Sequence, residues 1–182
     1  MKKRFLVLML AAMTISSFTF TGCGDSDDNT SVTTTAGGNN DQTTSPKGYV
    51  FERNGVTIGM DMEAAPIIEA LGEPTSYFEA ASCAFEGLDK MYGYGSFEID
   101  TYELNGKDYI STIIFNDDMV STKEGVSLFD KKEDMISAYG DNYSNEQGMY
   151  VYTNDNMKLK FVINGDDEIS SIMYTSTIID AQ

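Results

Sequence analysis

Histidine does not occur in the 182 residues. Its absence removes the usual general base near neutral pH, the Ser-His-Asp and Cys-His arrangements, and every metal site that needs an imidazole. Cysteine is almost missing as well, with only Cys23 and Cys83 present. Should Cys23 be modified, no intrachain disulfide is possible. Bases are scarce: 12 Lys and Arg stand against 29 Asp and Glu, for a net charge of −17. A surface so acidic repels phosphate backbones, which argues against nucleic acid as a partner. No apolar run is long enough to cross a membrane. The stretch from Phe5 to Met13 has nine residues, half of the roughly 18 that a spanning helix needs.

That short run has a different use. Lys2, Lys3 and Arg4 precede it, so residues 1–22 read as a signal peptide with a basic start and an apolar middle. Small residues follow in Phe20-Thr21-Gly22-Cys23, where the apolar segment gives way to a polar one. This tetrapeptide resembles the bacterial lipobox, in which Leu usually stands at the place of Phe20. The resemblance implies that Cys23 carries a diacylglyceryl anchor and becomes the mature N-terminus. Two or three acyl chains, at about 0.8 kcal/mol per buried CH2, hold a protein on a membrane stably. Loss of the leader's three bases leaves the mature chain at −20.

Residues 24–47 are rich in Thr, Ser, Asn, Gly and Asp, with Val32 as the only strong apolar residue. Burial there cannot offset the entropy of ordering, so the composition predicts a disordered tether. A flexible coil of that length spans roughly 25–30 Å. The rest, residues 48–182, suits a single globular domain.

That domain contains an internal repeat. Met91-Tyr92-Gly93-Tyr94 matches Met149-Tyr150-Val151-Tyr152, and Asn105-Gly106 through Phe115 matches Asn164-Gly165 through Tyr174. Upstream, Ile67-Ile68-Glu69-Ala70-Leu71-Gly72 matches Met135-Ile136-Ser137-Ala138-Tyr139-Gly140. Matches in the same order define repeat one at about 56–118 and repeat two at about 122–176. Each opens on a short helix. The first runs from about Glu63 to Leu71, with Pro66 in its opening turn and Gly72 as its stop. The second is expected to start at an Asp130-x-x-Glu133 capping box and to stop at Gly140. Alternating or β-branched runs at 97–102, 110–115 and 169–174 read as strands, and both Asn-Gly pairs as hairpin turns. The fold class is therefore α+β, with two tandem helix-plus-antiparallel-strand repeats forming one sheet and the helices packed on one face.

The segments Ile58-Gly59-Met60, Ala70-Leu71-Gly72-Glu73-Pro74, Ser82 to Lys90, Thr122 to Val126 and Ala138-Tyr139-Gly140 carry a resemblance across most of residues 50–175. The chain is similar to Clostridia-type lipoproteins of gut Firmicutes whose folded part follows the tandem-repeat plan of the β-lactamase inhibitor protein. Its Leu-Gly-x-Pro helix end is also similar to small lipoproteins of the outer-membrane β-barrel assembly machine. These resemblances imply an aromatic sheet face that holds a protein partner, while the lack of any catalytic motif or base in the sequence argues for a non-catalytic role. No inhibitory contact residue carries over.

Within the chain, Tyr77, Phe78, Tyr92, Tyr94 and Tyr102 form the candidate partner-binding set. Tyrosines in strands serve packing as well, with the ring buried and the hydroxyl wet. The segment from Thr75 to Glu86 is an insertion in repeat one alone. It is expected to be a loop that either borders the partner surface or covers one end of the core with Phe78 and Phe85. Cys83, flanked by small residues, reads as a buried structural thiol. Asp117-Asp118 and Asp166-Asp167-Glu168 lack the calcium-loop pattern, so no metal and no cofactor is expected. The function that follows is an extracytoplasmic lipoprotein, anchored to the bacterial cell membrane, that binds or scaffolds another protein. An envelope lipoprotein for a small molecule or glycan is the alternative.

Overall fold

A computed structural model describes residues 46–83 and 87–180. The leader, Cys23, most of the tether and Phe85 lie outside the described residues. The domain begins with a hairpin of β1 (Phe51–Arg53) and β2 (Val56–Ile58). Asn54 and Gly55 both take positive φ, the conformation of a tight two-residue turn. Then come α1 (Ala64–Leu71), β3 (Ser76–Ala81), β4 (Leu88–Gly93), β5 (Phe97–Leu104) and β6 (Lys107–Phe115). After a loop follow α2 (Lys132–Tyr139), β7 (Ser144–Glu146), β8 (Met149–Asn154), β9 (Met157–Ile163), β10 (Ile169–Ser176) and a last turn, α3 (Thr177–Asp180).

Strands β3 to β10 make one antiparallel sheet in the order β3-β4-β5-β6-β10-β9-β8-β7. The fold is thus α+β, mostly antiparallel sheet with few helices. Because directly paired residues share a face, one row can be followed across the strands. Tyr77, Tyr92, Ile99, Ile113, Tyr174, Leu159 and Tyr152 oppose one another in succession. From Ile99 onward this row is buried in the core, which also takes Ala64 and Ile67 of α1 and Met135 of α2. Phe51 and Ile58 of the first hairpin close that core at 0% exposure each.

Several sequence expectations change in detail. Helix α1 and its stop at Gly72, which has φ 85°, lie where the pattern puts them. Helix α2 starts one residue later than expected: Lys131 is the cap, and its backbone N–H donates to the Asp134 carboxylate at 3.0 Å. Asp130 instead accepts from the Ser127 N–H at 2.7 Å. The expected loop at 75–86 is, over Ser76–Ala81, the edge strand β3. Its alternation was hidden because every residue in it is exposed, so no apolar face marks a period of two. The hairpin β1–β2 leaves no periodic signal in the sequence, since strands of three residues are too short to show one.

Candidate functional site

The sheet has a second face, opposite the helices. One row on it consists of Phe78, Met91, Asp100, Thr112, Thr175, Lys158 and Thr153. The next row consists of Ser76, Gly93, Glu98, Ile114, Met173, Lys160, Val151 and Ser144, and crosses all eight strands. Among the described residues, the only helix bordering this face is the four-residue α3, through Ile179. Met91, Ile114 and Met173 are each only partly buried. Ile114 and Met173, register partners on β6 and β10, form an apolar centre between β5 and β9, while Met91 lies on β4 on the far side of β5.

The charge on this face is divided. Glu98 and Asp100 lie on β5, whereas Lys158 and Lys160 lie on β9. Lys158 bonds Glu146 of the β7 edge at 2.9 Å. Asp100 has no such partner: its Oδ1 is buried without a hydrogen bond among the described residues. Burial, reinforced by the neighbouring Glu98 and Asp89 charges, pushes its carboxyl up to about 7. With Met91, Tyr102 and Ile179 it lines a hollow of about 340 Å3. On the same row, the Thr175 hydroxyl is also buried without a hydrogen bond among the described residues.

The raised Asp100 carboxyl has a stability consequence. Below about pH 4 the group is protonated in folded and unfolded chains alike and contributes nothing. Between about 4 and 7 only the unfolded chain ionises, so folding loses stability as pH rises, and the loss is complete above 7. Asp100→Asn should therefore match the parent near pH 4 and exceed it by about 1–3 kcal/mol at pH 8, partial contact with water trimming the cost. Urea midpoints at the two pH values measure the difference; a gap independent of pH would contradict it.

The five aromatic candidates do not form one surface. Tyr77 and Tyr92 lie in the core-side row, with rings 5.1 Å apart, while Phe78 lies in the opposite row. Tyr94 stacks on Phe97 at 5.1 Å and donates its hydroxyl to the Gly72 carbonyl at 3.4 Å. Tyr102 is 3% exposed and donates to Asp61 Oδ1 at 3.2 Å, so its ring offers no area to a partner. Only Tyr77 and Phe78, 50% and 61% exposed, present their rings to solvent. Alternation separates neighbours in a strand onto opposite faces, which is why residue type alone grouped them wrongly. The sequence signal for the open face is faint: Met91, Ile114 and Met173 read as ordinary core positions.

Cys83 is exposed, not the buried thiol its small neighbours suggested. Among the described residues, no group of three or more His, Cys, Asp or Glu side chains could hold a metal ion. No described helix is long and apolar enough to cross a membrane.

No family model matches the chain, and no curated protein matches it. Among solved structures, the chain is similar to an extracellular protein containing an SCP domain from Bacillus anthracis str. Ames. The TM-score is 0.47 at 11% sequence identity, over 64% of this chain and 44% of that one. The chain spans less than half the length of that protein, and a likeness of this degree assigns neither family nor activity.

Proposed function

We propose that this chain is a non-catalytic protein-binding or scaffold lipoprotein, held outside the cell through Cys23, that receives its partner on the open sheet face. One observation carries the binding half: a wide antiparallel face with half-buried Ile114 and Met173 paired at its centre, the acids of β5 on one side and the bases of β9 on the other, and half-buried Met91 beyond the acids on β4. Apolar centres with charged rims are the composition of protein interfaces, and the charge division gives a partner a preferred orientation. The anchor half rests on the lipobox-like Phe20-Thr21-Gly22-Cys23 and the polar tether after it.

We also infer that the domain is a tandem repeat on the inhibitor-like plan of the Firmicutes lipoproteins. Support comes from details that recur at the sequence offsets of the matched motifs. Both helices have eight residues, offset by 68, and end on Gly72 and Gly140 with φ of 85° and 78°. Tyr94 donates to the Gly72 carbonyl and Tyr152 to the Gly140 carbonyl. The residues before the helices make matching isolated bridges, Glu63 with Tyr109 and Lys131 with Glu168. Irregular register falls at Ser111 in β6 and at Ser170 in β10, which are matching positions.

The test has two arms. Cys23→Ala should move nearly all of the protein from the membrane to the aqueous fraction and abolish acyl labelling; a variant still bound and labelled would refute the anchor. For binding, the full-length protein solubilised from the envelope should retain a stoichiometric protein partner, and Met91→Glu with Met173→Glu should lose it at unchanged Tm. Retention of a sugar or small molecule in place of a protein would establish the alternative.

A further inference from the structure

We propose that the outer edge of β3 is an augmentation site, where an extended basic segment of a partner protein adds a ninth strand to the sheet. This rests on the protein-binding reading above and names the chemistry of the partner. Among the described residues, β3 pairs with β4 alone. Two backbone hydrogen bonds set the phase of its ladder. Tyr94 N–H bonds the Phe97 carbonyl at 2.8 Å, and Ser82 N–H bonds the Gly87 carbonyl at 3.1 Å. In an antiparallel ladder the bonded pairs alternate, so Ser76, Phe78 and Ala80 turn their amides toward β4. Tyr77, Glu79 and Ala81 turn theirs outward.

Free edges are hazards that proteins blunt with shortness, lysine or proline. The opposite edge obeys that rule. Strand β7 has three residues, and Lys158 reaches across to its Glu146. Strand β3 does not: it has six residues, all exposed, with neither Lys nor Pro. It spans roughly 20 Å, enough for a six-residue strand. Tyr77 and Phe78 stand at half exposure or more on opposite sides of the edge, so an added strand would be covered on both faces.

Charge decides which strand. Glu79 accepts the Tyr77 hydroxyl but forms no ion pair among the described residues. Its register partner Lys90 is drawn instead to Asp108 at 2.7 Å. A Lys or Arg across from Glu79 supplies the missing cation, since opposite charges in cross-strand pairs are favourable and like charges are not. A second copy of this chain meets the reverse condition, bringing a net −20 against −20 once the leader's three bases are gone.

The test uses the full chain in detergent micelles and two synthetic peptides. One is acetyl-Thr-Val-Lys-Val-Lys-Val-Thr-amide, and the other has Glu in place of both Lys. The basic peptide should slow amide hydrogen exchange at Tyr77, Glu79 and Ala81 and bind at least about fivefold more tightly than the acidic one. Ala81→Pro removes an outward N–H and should weaken that binding about threefold to tenfold at unchanged Tm. Ala80→Pro removes a ladder N–H and should lower Tm, which checks the assigned phase. Glu79→Lys should reverse the peptide preference. Equal binding of the two peptides, or protection confined to the open face, overturns the proposal. So does protection that grows with protein concentration without peptide and accompanies a dimer mass, since the occupant is then a second copy. A protein partner that Ala81→Pro and Glu79→Lys both retain at parental affinity refutes the edge and leaves the binding reading standing. Absence of any protein partner in the envelope experiment refutes that reading by itself.

Discussion

Phe51→Ala is expected to cost about 3–5 kcal/mol of folding stability, read as a lowered urea midpoint. Phe51 is fully buried. Its ring meets Phe97 at 5.0 Å, Phe115 at 5.1 Å and Tyr174 at 6.4 Å between centroids. Truncation removes the hydrophobic transfer energy and those aromatic contacts, and it leaves a cavity that rigid strands on either side cannot fill. Domains of this size have about 5–15 kcal/mol in total, so roughly a fifth or more would go. Phe51→Leu, which keeps most of the volume, should cost under about 1.5 kcal/mol. A loss below about 1 kcal/mol for the alanine variant would mean that the hairpin β1–β2 is not part of the cooperative core.

Asp61→Ala should cost about 2–4 kcal/mol by a different route. The Asp61 carboxylate accepts from the Ser176 hydroxyl at 2.6 Å, from the Tyr102 hydroxyl at 3.2 Å and from the Asn156 amide. It thereby ties the lead-in to α1 to the ends of β5 and β10 and to the turn before β9. Ser176 is fully buried, so a hydroxyl that loses its acceptor there gains no water in exchange. Backbone adds to the loss. Asp61 has φ of 59°, which aspartate tolerates better than alanine. Asp61→Asn keeps an acceptor oxygen and the tolerance, and should cost less than half as much. Equal losses for the two substitutions would place the effect in the carboxylate and not in the backbone, since asparagine shares the backbone tolerance, and Asp61→Gly would then restore nothing. Thermal unfolding monitored by near-ultraviolet circular dichroism measures all three.

Local physics made much of this domain readable from its residues. Helix α1 could be placed because Pro66 suits an opening turn and Gly72 a stop, requirements that involve only neighbouring atoms. The turn at Asn105-Gly106 was legible for the same reason: both residues take positive φ, of 55° and 76°, which few other pairs adopt cheaply. Alternation in 97–102 and β-branching in 110–115 marked strands with one side in the core. Where burial is one-sided, the pattern is written in the sequence.

Tertiary structure decided what no local rule reaches. Strand β3 has no buried side, so its six exposed residues read as a loop until β4 lies beside it. Tyr77 and Phe78 are neighbours in sequence yet face opposite ways, because the pleat alternates and only the assembled sheet says which side the helices cover. Glu79 and Lys90 are register partners that long side chains decline, since Asp108 offers Lys90 a nearer carboxylate. Asp100 is one of 29 acids in the sequence and acquires its raised carboxyl only from the strands that surround it. Residue type and spacing determine the elements and their turns because those energies are short-range. Faces, edges and shifted charges depend on which strands become neighbours, and that is settled by packing between residues far apart in the chain.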